Sequence, residues 1–370
     1  MGDRSPTDEA AGYGSPRPGT VESPAAPAAP PPPPATRAPA GPAAPGRPAP
    51  RAVATMRDVG KRFEQLWAVR RLSLDVPEGS IVGLIGPSGC GKTTTVRLLL
   101  GVYEPTEGEI EVFGEHPFRF RRATRERLGY LPQLFVLYPT LTVDENLNFA
   151  AAAYGLGPFK RRRYKRQALD LVGLTEHRHT LASNISGGMQ RRLELAATLL
   201  HQPQLIVMDE PTAGIDPILR EQLWEEFRRL QGMGRTQIIT TQYVTEAEYC
   251  DFVVLMDEGK VAAAGPPAAL RRQAAGGDLI DLAVPNLDRA LMDRLRALPG
   301  VVAVQRRSDT EVRLVVNGRA GELIPRVVDA AQDAGETVQR IEEYSLSFNE
   351  VFVALLGQQG QPSAAVRHVD

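Results

Sequence analysis

The sequence predicts an α/β fold in which a mainly parallel sheet with an antiparallel edge carries a helical insertion and is followed by a small α+β domain. Three observations support this prediction. Strand and helix patterns alternate from Ala52 to about Gly265, helical periodicity fills most of residues 143–200, and a strand-helix-strand-strand-helix-strand order begins near Asp278. The chain of 370 residues, 42% hydrophobic and 24% charged, has the composition of a soluble globular protein.

Residues 1–50 differ in composition from the rest of the chain. They hold 15 of the 31 prolines, including the run from Pro30 to Pro34. Such a segment buries too little apolar surface to fold, so the sequence predicts a disordered extension that favours the polyproline conformation. A proline-motif ligand for a partner domain is the alternative. The segment lacks the continuous apolar core of about seven residues that a secretion signal needs.

The first predicted domain covers residues 51–267. Its helical part lies at about 140–200, where amphipathic patterns replace the strand patterns. The last two strand patterns form a hairpin, which places an antiparallel strand at the sheet edge. The predicted strands are Ala52 to Met56, Leu72 to Val76, Ser80 to Ile85, Glu109 to Val112, Leu128 to Leu131, Leu205 to Met208, Thr236 to Thr240, Phe252 to Met256 and Lys260 to Ala264.

A second predicted domain covers residues 278–357. Its βαββαβ order is typical of a ferredoxin-like α+β domain. No motif with recognised chemistry lies in it, so we expect a regulatory or docking role, and residues 358–370 are expected to form a tail. The predicted strands are 278–284, 301–307, 311–316 and 337–344, and the predicted helices are 287–298 and 322–335.

The segment from Ser80 to Gly101 contains the clearest functional motif. Gly86, Gly91, Lys92 and Thr93 fit the pattern G-x-x-x-x-G-K-[ST], with an apolar strand before it and a helix after it. Glycines let backbone N–H groups surround phosphate oxygens, the lysine reaches the outer phosphates, and the threonine hydroxyl can hold Mg²⁺. The motif therefore predicts binding of a nucleoside triphosphate. The residues expected to bind it are Gly86, Pro87, Ser88, Gly89, Cys90, Gly91, Lys92, Thr93 and Thr94.

The two cysteines, Cys90 and Cys250, lie far apart in the sequence. This spacing, without a secretion signal, argues for a reducing cytoplasmic compartment and against a disulfide. Cys90 lies beside Lys92 at a helix N-terminus, and both favour the thiolate if solvent reaches the sulfur. The prediction is a maleimide-sensitive thiol that bound nucleotide protects.

The segment LIVMDEP, from Leu205 to Pro211, is an apolar strand that ends in two carboxylates. Asp209 can hold Mg²⁺ through its water shell, and Glu210 can orient or deprotonate an attacking water. A solvated acidic turn is the alternative. Downstream of a phosphate-binding loop, two carboxylates are what hydrolysis of a metal-bound triphosphate requires.

A third element, NISGGMQRRLELAATLL, begins a helix with Ser186, Gly187 and Gly188. Their hydroxyl and N–H groups at a helix N-terminus form a second anion site. On its own the triplet is more often a simple helix start with Ser186 as its cap.

The order of the motifs GPSGCGKT, YLPQ, ISGGMQRR, LIVMDEP and AGID resembles that of the nucleotide-binding subunits of ATP-binding cassette (ABC) transporters, over about Thr55 to Gly265. The resemblance implies a P-loop NTPase cassette that binds ATP and Mg²⁺. It also implies that the serine-glycine-glycine segment of one subunit closes on ATP held by another, so the active form is a head-to-tail homodimer. A separate transmembrane permease would hold the chain at the cytoplasmic face of the membrane.

The resemblance assigns roles to three further residues. Gln133 matches the glutamine that senses Mg²⁺ and contacts the membrane subunit, and Asp216 matches the aspartate that communicates across the dimer. Phe63 matches the aromatic residue that stacks on adenine. From the residues alone, Gln133 is equally a loop amide, Asp216 a helix cap before Pro217 and Phe63 a core residue at a strand end.

Two residues depart from the family pattern. Met189 stands where many members have glutamine, and Gln242 stands where most have a histidine that touches the γ-phosphate. A glutamine amide donates a hydrogen bond but cannot become cationic, so Gln242 is expected to contact the phosphate without titrating. The expected catalytic residues are Lys92, Glu210 and Gln242.

The SGGMQRR and TTQY segments, with the SLSFNEVFVALLG tail, resemble the ATPases of daunorubicin/doxorubicin-type drug-resistance exporters. This implies export of drugs or other hydrophobic small molecules, and exporters of polysaccharide, lipid or peptide remain an alternative. A second alternative is a soluble ATP switch that acts on DNA or ribosomes. Two features argue against it, because the chain contains a single cassette and that cassette holds no sustained heptads. A third alternative is a nucleotide sensor that does not hydrolyse ATP. Such a protein would normally lack the catalytic carboxylate, so Glu210 argues against it.

The charge and hydropathy of the chain bear on its partners. The formal net charge is −1, which provides no basic field for nucleic acid, so none is expected as a partner. No apolar run approaches the roughly 20 residues of a spanning helix. A different chain is therefore expected to cross the membrane.

Overall fold

The computed structural model describes residues 51–134 and 136–357. The predicted extension (1–50) and tail (358–370) lie outside the described residues. The strands of the described part are β1 (Ala52–Phe63), β2 (Leu66–Pro77), β3 (Ile81–Ile85), β4 (Glu107–Val112), β5 (Leu128–Leu131), β6 (Leu205–Asp209), β7 (Thr236–Thr241), β8 (Phe252–Asp257), β9 (Lys260–Gly265), β10 (Asp278–Ala283), β11 (Val301–Arg306), β12 (Glu311–Val316) and β13 (Arg340–Tyr344). The α-helices there are α1 (Lys92–Leu99), α2 (Arg122–Arg125), α3 (Val143–Ala153), α4 (Pro158–Leu171), α5 (Gly187–Leu199), α6 (Pro217–Gly232), α7 (Pro267–Ala275), α8 (Arg289–Ala297), α9 (Ala320–Asp333) and α10 (Phe348–Gly357).

The central sheet has six strands in the order β5-β6-β7-β3-β8-β9. The neighbouring pairs from β5 to β8 are parallel, and only β9 runs antiparallel, at the edge. The predicted parallel sheet with an antiparallel edge is confirmed. Because β6, β7 and β3 are adjacent and parallel, the segments that follow them meet at one edge of the sheet.

The first strands form a separate antiparallel sheet in the order β2-β1-β4, which the sequence analysis did not distinguish from the central sheet. The physical reason is the short connection between β1 and β2, where Phe63 pairs directly with Leu66 in a hairpin. Such a hairpin requires antiparallel pairing. Buried residues of this sheet, including Met56 and Leu74, pack against Leu84 of the central sheet.

The helices α3, α4 and α5 form the predicted helical insertion. A capping box fixes the start of α3: the Thr142 side chain accepts from the Glu145 N–H, and the Glu145 carboxylate accepts from the Thr142 N–H. Leu147, Leu169 and Leu195 from the three helices share one buried core with the central sheet. Within the described residues, no helix is both long enough and apolar enough to cross a membrane.

The C-terminal strands form an antiparallel sheet in the order β11-β12-β10-β13, with its own apolar core that includes residues of α8 and α9. The βαββαβ succession agrees with the sequence pattern. The last helix, α10, behaves differently. Its buried residues Phe348, Val351 and Leu355 belong to the core of the first domain, together with Leu270 of α7. The chain therefore returns to the first domain after completing the C-terminal sheet.

Candidate nucleotide site

The phosphate-loop motif lies between β3 and α1, as predicted. Gly89 and Gly91 have φ angles of 82° and 106°, which favour glycine, and Gly91 caps α1 without a side-chain hydrogen bond. A Cβ atom on Gly86 would collide with the carbonyl oxygen of Met256, and one on Gly91 would collide with that of Ala68. These contacts explain why glycine occupies both ends of the loop. The loop residues Pro87, Ser88 and Gly89 are exposed, whereas Thr93 and Thr94 are half-buried.

Lys92 is a buried cation that the loop itself surrounds. Its Nζ donates hydrogen bonds to the carbonyl oxygens of Gly86 (2.9 Å) and Pro87 (3.0 Å). It also lies 3.4 Å from Oε1 of Glu210. The structure thus brings the loop lysine and the second carboxylate of β6 together.

Asp209 at the end of β6 organises two hydroxyl groups. Its Oδ1 accepts from Oγ1 of Thr240 at 2.6 Å and from Oγ1 of Thr93 at 3.3 Å. Oγ1 of Thr240 also accepts from the N–H of Glu210 at 2.9 Å. The sequence analysis missed Thr240, although a polar residue at the end of the buried strand TQIITT was a usable signal.

Gln133 and Glu210 are in direct contact. Nε2 of Gln133 donates to Oε2 of Glu210 at 2.9 Å, across 77 residues of sequence. Glu210 has a φ of 47°, in the left-handed region that costs a non-glycine residue about 1–3 kcal/mol. This left-handed residue comes directly after the last residue of β6 and carries the carboxylate that contacts Gln133.

Gln242 follows β7, the strand between the phosphate loop and the carboxylates. The N–H of Gly86 donates to the carbonyl of Thr241 at 3.3 Å, so the residue before Gln242 contacts the loop directly. The Gln242 side chain is exposed. Its backbone therefore follows directly on a residue that is hydrogen-bonded to the phosphate-loop motif.

Phe63 lies on the surface at the end of β1, with 39% of the residue exposed. The core alternative for this residue is therefore wrong. Its ring meets the ring of Tyr103 edge to face with centroids 5.1 Å apart, and Nζ of Lys61 lies 5.2 Å from the Phe63 centroid. Tyr103 was not predicted, because its aromatic partner is 40 positions away in the sequence.

Ser186 and Asp216 both cap helices. Oγ of Ser186 accepts from the N–H of Met189 at 3.2 Å, and Oδ1 of Asp216 accepts from the N–H of Leu219 at 3.0 Å. Both capping residues are exposed. Gly188 and Leu219 are packed so closely that a Cβ on the glycine would collide with the leucine side chain. The starts of α5 and α6 are therefore held side by side.

Cys90 contradicts the expectation of a reactive thiol. The residue is only 3% exposed and packs in the core between the two sheets. Burial raises the pKa of its thiol, and this effect outweighs the opposing influence of Lys92. The prediction of a thiolate depended on solvent reaching the sulfur, and the fold keeps solvent away.

Comparison with known proteins identifies the family. Residues 69–213 match the family described as ABC transporter. The chain is 36% identical over 318 residues to the Nod factor export ATP-binding protein I of Paraburkholderia xenovorans, covering 84% of this chain and 99% of that relative. It is 35% identical over 324 residues to the probable multidrug ABC transporter ATP-binding protein YbhF of Escherichia coli. That match covers 86% of this chain and 55% of YbhF, so the chain spans about half the length of that relative.

A solved structure described as the ATP-binding subunit of an ABC transporter superposes with a TM-score of 0.54 at 29% identity, covering 60% of this chain and 92% of that one. The expected cassette fold is thereby confirmed. The chain belongs to the ATP-binding proteins of the ABC transporter family.

Proposed function

We propose that this chain hydrolyses ATP as a head-to-tail homodimer and thereby powers export through a separate transmembrane permease, at the cytoplasmic face of the membrane. The proposed cargo is a drug or another hydrophobic small molecule. One observation carries the proposal: Gln133 donates to Glu210 at 2.9 Å, and its loop borders an exposed apolar groove. A partner bound in the groove would therefore act on the side chain that contacts the hydrolytic carboxylate.

The groove is a cavity of about 230 Å³ between the end of β5 and the helices α3 and α5. Its walls include Tyr130, Val136, Tyr138, Phe149 and Tyr154. Several of these are well exposed, with Val136 at 61% and Phe149 at 52%. Contiguous exposed apolar surface of this kind is typical of a protein interface. A short amphipathic helix of a permease is the partner that we propose for it.

The site residues support hydrolysis of ATP. Lys92 and the loop N–H groups would bind the outer phosphates, and Gln242 would donate to the γ-phosphate. Glu210 would accept a proton from water as the water oxygen attacks the γ-phosphorus and the bond to the β–γ bridging oxygen breaks, releasing ADP and phosphate. Gln133 is placed to orient that water.

Thr93 and Asp209 fit a Mg²⁺ site. Their hydroxyl and carboxylate oxygens lie 3.3 Å apart, and both are the hard oxygen ligands that this ion prefers. Gln133 is the third proposed contact. When bound, the ion would neutralise charge on the β- and γ-phosphates.

Head-to-tail pairing is supported by the exposure of Ser186 at the start of α5 and of Asp216 at the start of α6. A helix N-terminus favours an anion, so the start of α5 can receive the γ-phosphate of ATP bound to a second copy. Phe63 of the copy whose phosphate loop holds the ATP would stack on the adenine. Relatives named for multidrug transport and for Nod factor export support an exporter.

Size-exclusion chromatography of Glu210→Gln with and without ATP tests the pairing. We expect an ATP-dependent dimer, because the variant retains the phosphate loop but cannot activate water. Lys92→Ala is the matched control and should stay monomeric. A Glu210→Gln protein that remains monomeric with saturating ATP would overturn the homodimer.

Reconstitution in proteoliposomes tests the cargo. If a membrane protein of about six spanning helices is found among the neighbouring genes, the chain is purified with it and stimulation of ATP hydrolysis is measured. Hydrophobic drugs should stimulate hydrolysis more than polysaccharide, lipid or peptide does. Stronger stimulation by one of the latter would replace the proposed cargo, and no association with the membrane protein would favour the soluble switch.

A further inference from the structure

Arg191, on the buried side of α5, contacts several segments around the site. Its Nη1 donates to Oε2 of Glu194 at 2.7 Å and to the carbonyl of Pro132 at 2.8 Å. Its Nε donates to the carbonyl of Pro211 at 2.9 Å, and its Nη2 donates to the carbonyl of Glu210 at 3.3 Å. One guanidinium therefore joins α5, called the signature helix because it starts at the serine-glycine-glycine segment, to the segments that carry Gln133 and Glu210.

Glu194 completes the arrangement from the other side. It is buried, and its second oxygen, Oε1, accepts from the N–H of Val136 at 2.9 Å. Pro132 directly precedes Gln133 and Val136 follows it by three positions, so the ion pair holds the Gln133 loop on both sides. A buried ion pair is tolerated only when its remaining donors and acceptors are satisfied, and this pair meets that condition through backbone groups.

We propose that Arg191 and Glu194 are positioning residues that fix Gln133 against Glu210. They would set the rate of hydrolysis without touching the nucleotide. This proposal rests on the proposed hydrolysis of ATP. It extends that function to the second anion site, because α5 starts at that site, with Ser186 as its cap and Gly187 as its first residue. A displacement of the signature helix would therefore reach the carboxylate through this pair.

The chemistry of the two side chains makes them hard to replace. A guanidinium presents five N–H donors in a rigid fork, which allows Arg191 to serve five acceptors at once, the carbonyl of Asp209 among them, whereas lysine offers three donors from a point charge. A misplacement of about 1 Å at a reacting group can cost about 100-fold in rate. Loss of the pair should therefore affect turnover far more than nucleotide affinity.

Glu194→Gln tests the pair with little change of shape. The amide can still accept from the Val136 N–H, but the charge facing Arg191 is removed. We expect kcat to fall by roughly 10- to 100-fold, with ATP affinity within about twofold of wild type. In a Gln133→Ala background the same substitution should have little further effect, because interacting residues are not additive.

Asp281→Asn provides a matched control. Arg313, which is buried, and Asp281, which is half-buried, form a bidentate pair at 2.6 and 2.7 Å on the C-terminal sheet. Breaking it should lower thermal stability and leave kcat unchanged. If Asp281→Asn lowers kcat as much as Glu194→Gln does, the effect is general destabilisation and the proposal fails.

Hydrogen exchange at the Val136 amide gives a readout that does not need hydrolysis. Glu194→Ala should accelerate exchange there, since the acceptor is removed. If the wild-type protein shows no ATPase activity, the proposed function is wrong. The exchange experiment still tests whether Arg191 and Glu194 hold the Gln133 loop, because it does not depend on hydrolysis. Unchanged exchange, or a kcat loss in Glu194→Gln that adds fully to that of Gln133→Ala, would overturn the proposal. If Glu194→Gln does not fold, Arg191→Lys is measured in the same way and judged by the same outcomes.

Discussion

Lys92 and Glu210 face each other at 3.4 Å, although one begins the helix after β3 and the other follows β6. The strands are separated in the sheet only by β7, so parallel register alone brings the two side chains together. The lysine side chain is 3% exposed and that of the glutamate 12%. Their charges interact with little screening by solvent, and each residue is placed to influence the other during hydrolysis.

Lys92→Ala and Glu210→Gln should therefore fail in different ways. The first removes the cation that faces the phosphates and should weaken ATP binding by at least about tenfold, which corresponds to one charge-assisted hydrogen bond. The second removes the proton acceptor and should lower kcat by about 10²- to 10⁴-fold while ATP still binds. Titration with a fluorescent ATP analogue and steady-state hydrolysis separate the two effects. Equal loss of binding in both variants would contradict these roles.

Cys90 should react slowly with maleimide in the folded protein. Burial raises the pKa of the thiol, so the reactive thiolate is scarce at pH 7.5, and the sulfur is also screened from the reagent. We expect complete labelling in urea and little labelling under native conditions, with or without ATP. Cys90→Ser is the control that assigns any native labelling. Rapid labelling that ATP prevents would show that the loop opens far more than its packing indicates.

The local part of the site was predictable from the sequence. The phosphate loop combines glycine positions, a lysine and a following helix within a few residues, and the carboxylates of β6 follow an apolar strand. Gln133 was assigned to the site by the resemblance alone, since a single glutamine carries no pattern, and its contact with Glu210 was not predicted. Thr240 was missed because its partner Asp209 is distant in sequence. Arg191 was missed because, apart from Glu194, the groups it contacts are distant, and a buried polar residue shows its role only through its partners.

The fold shows the same difference between features set by nearby residues and features set by distant ones. Strand and helix positions follow from short-range periodicity, and most of them were predicted. The choice of strand partners does not follow from short-range periodicity, which is why the separate sheet formed by β1, β2 and β4 was not expected. Likewise the apolar pattern of α10 indicates a helix, but the path of the chain decides that Phe348 packs into the first domain.

Glu246 should give the protein a pH-dependent stability. Its carboxylate is 1% exposed, and burial raises its pKa more than the nearby Thr241, Thr212, Trp224 and Arg220 lower it. Nε of Arg220 lies 3.6 Å from Oε1. Because the folded state binds the proton more tightly than the unfolded state, stability from this group is fully present below the unfolded pKa of about 4.3. It is lost as the pH rises through the folded pKa.

Glu246→Gln removes that titration. The free energy of unfolding of the variant, relative to wild type, should rise between pH 5 and pH 8, with a slope of at most about 1.4 kcal/mol per pH unit. Urea unfolding at the two pH values measures it. Glu248→Gln, at an exposed neighbouring position, is the matched control and should show a smaller change. A difference between Glu246→Gln and wild type that does not vary with pH would disprove the assignment.

Gln242 should contact the γ-phosphate through a group that does not titrate near neutrality. Its neighbour Thr241 accepts from the Gly86 N–H at 3.3 Å, which places Gln242 at the mouth of the loop. Gln242→Ala should lower kcat more than ATP affinity, at a cost of about 1–3 kcal/mol, because one donor to the phosphate is lost while the loop remains. In Gln242→His the hydrolysis rate should change with pH near the imidazole pKa of about 6.5. The wild-type rate should show no such change from this position. Hydrolysis rates from pH 6 to 9 for the three proteins decide the matter, and identical profiles and rates would show that this residue does not reach the reacting phosphate.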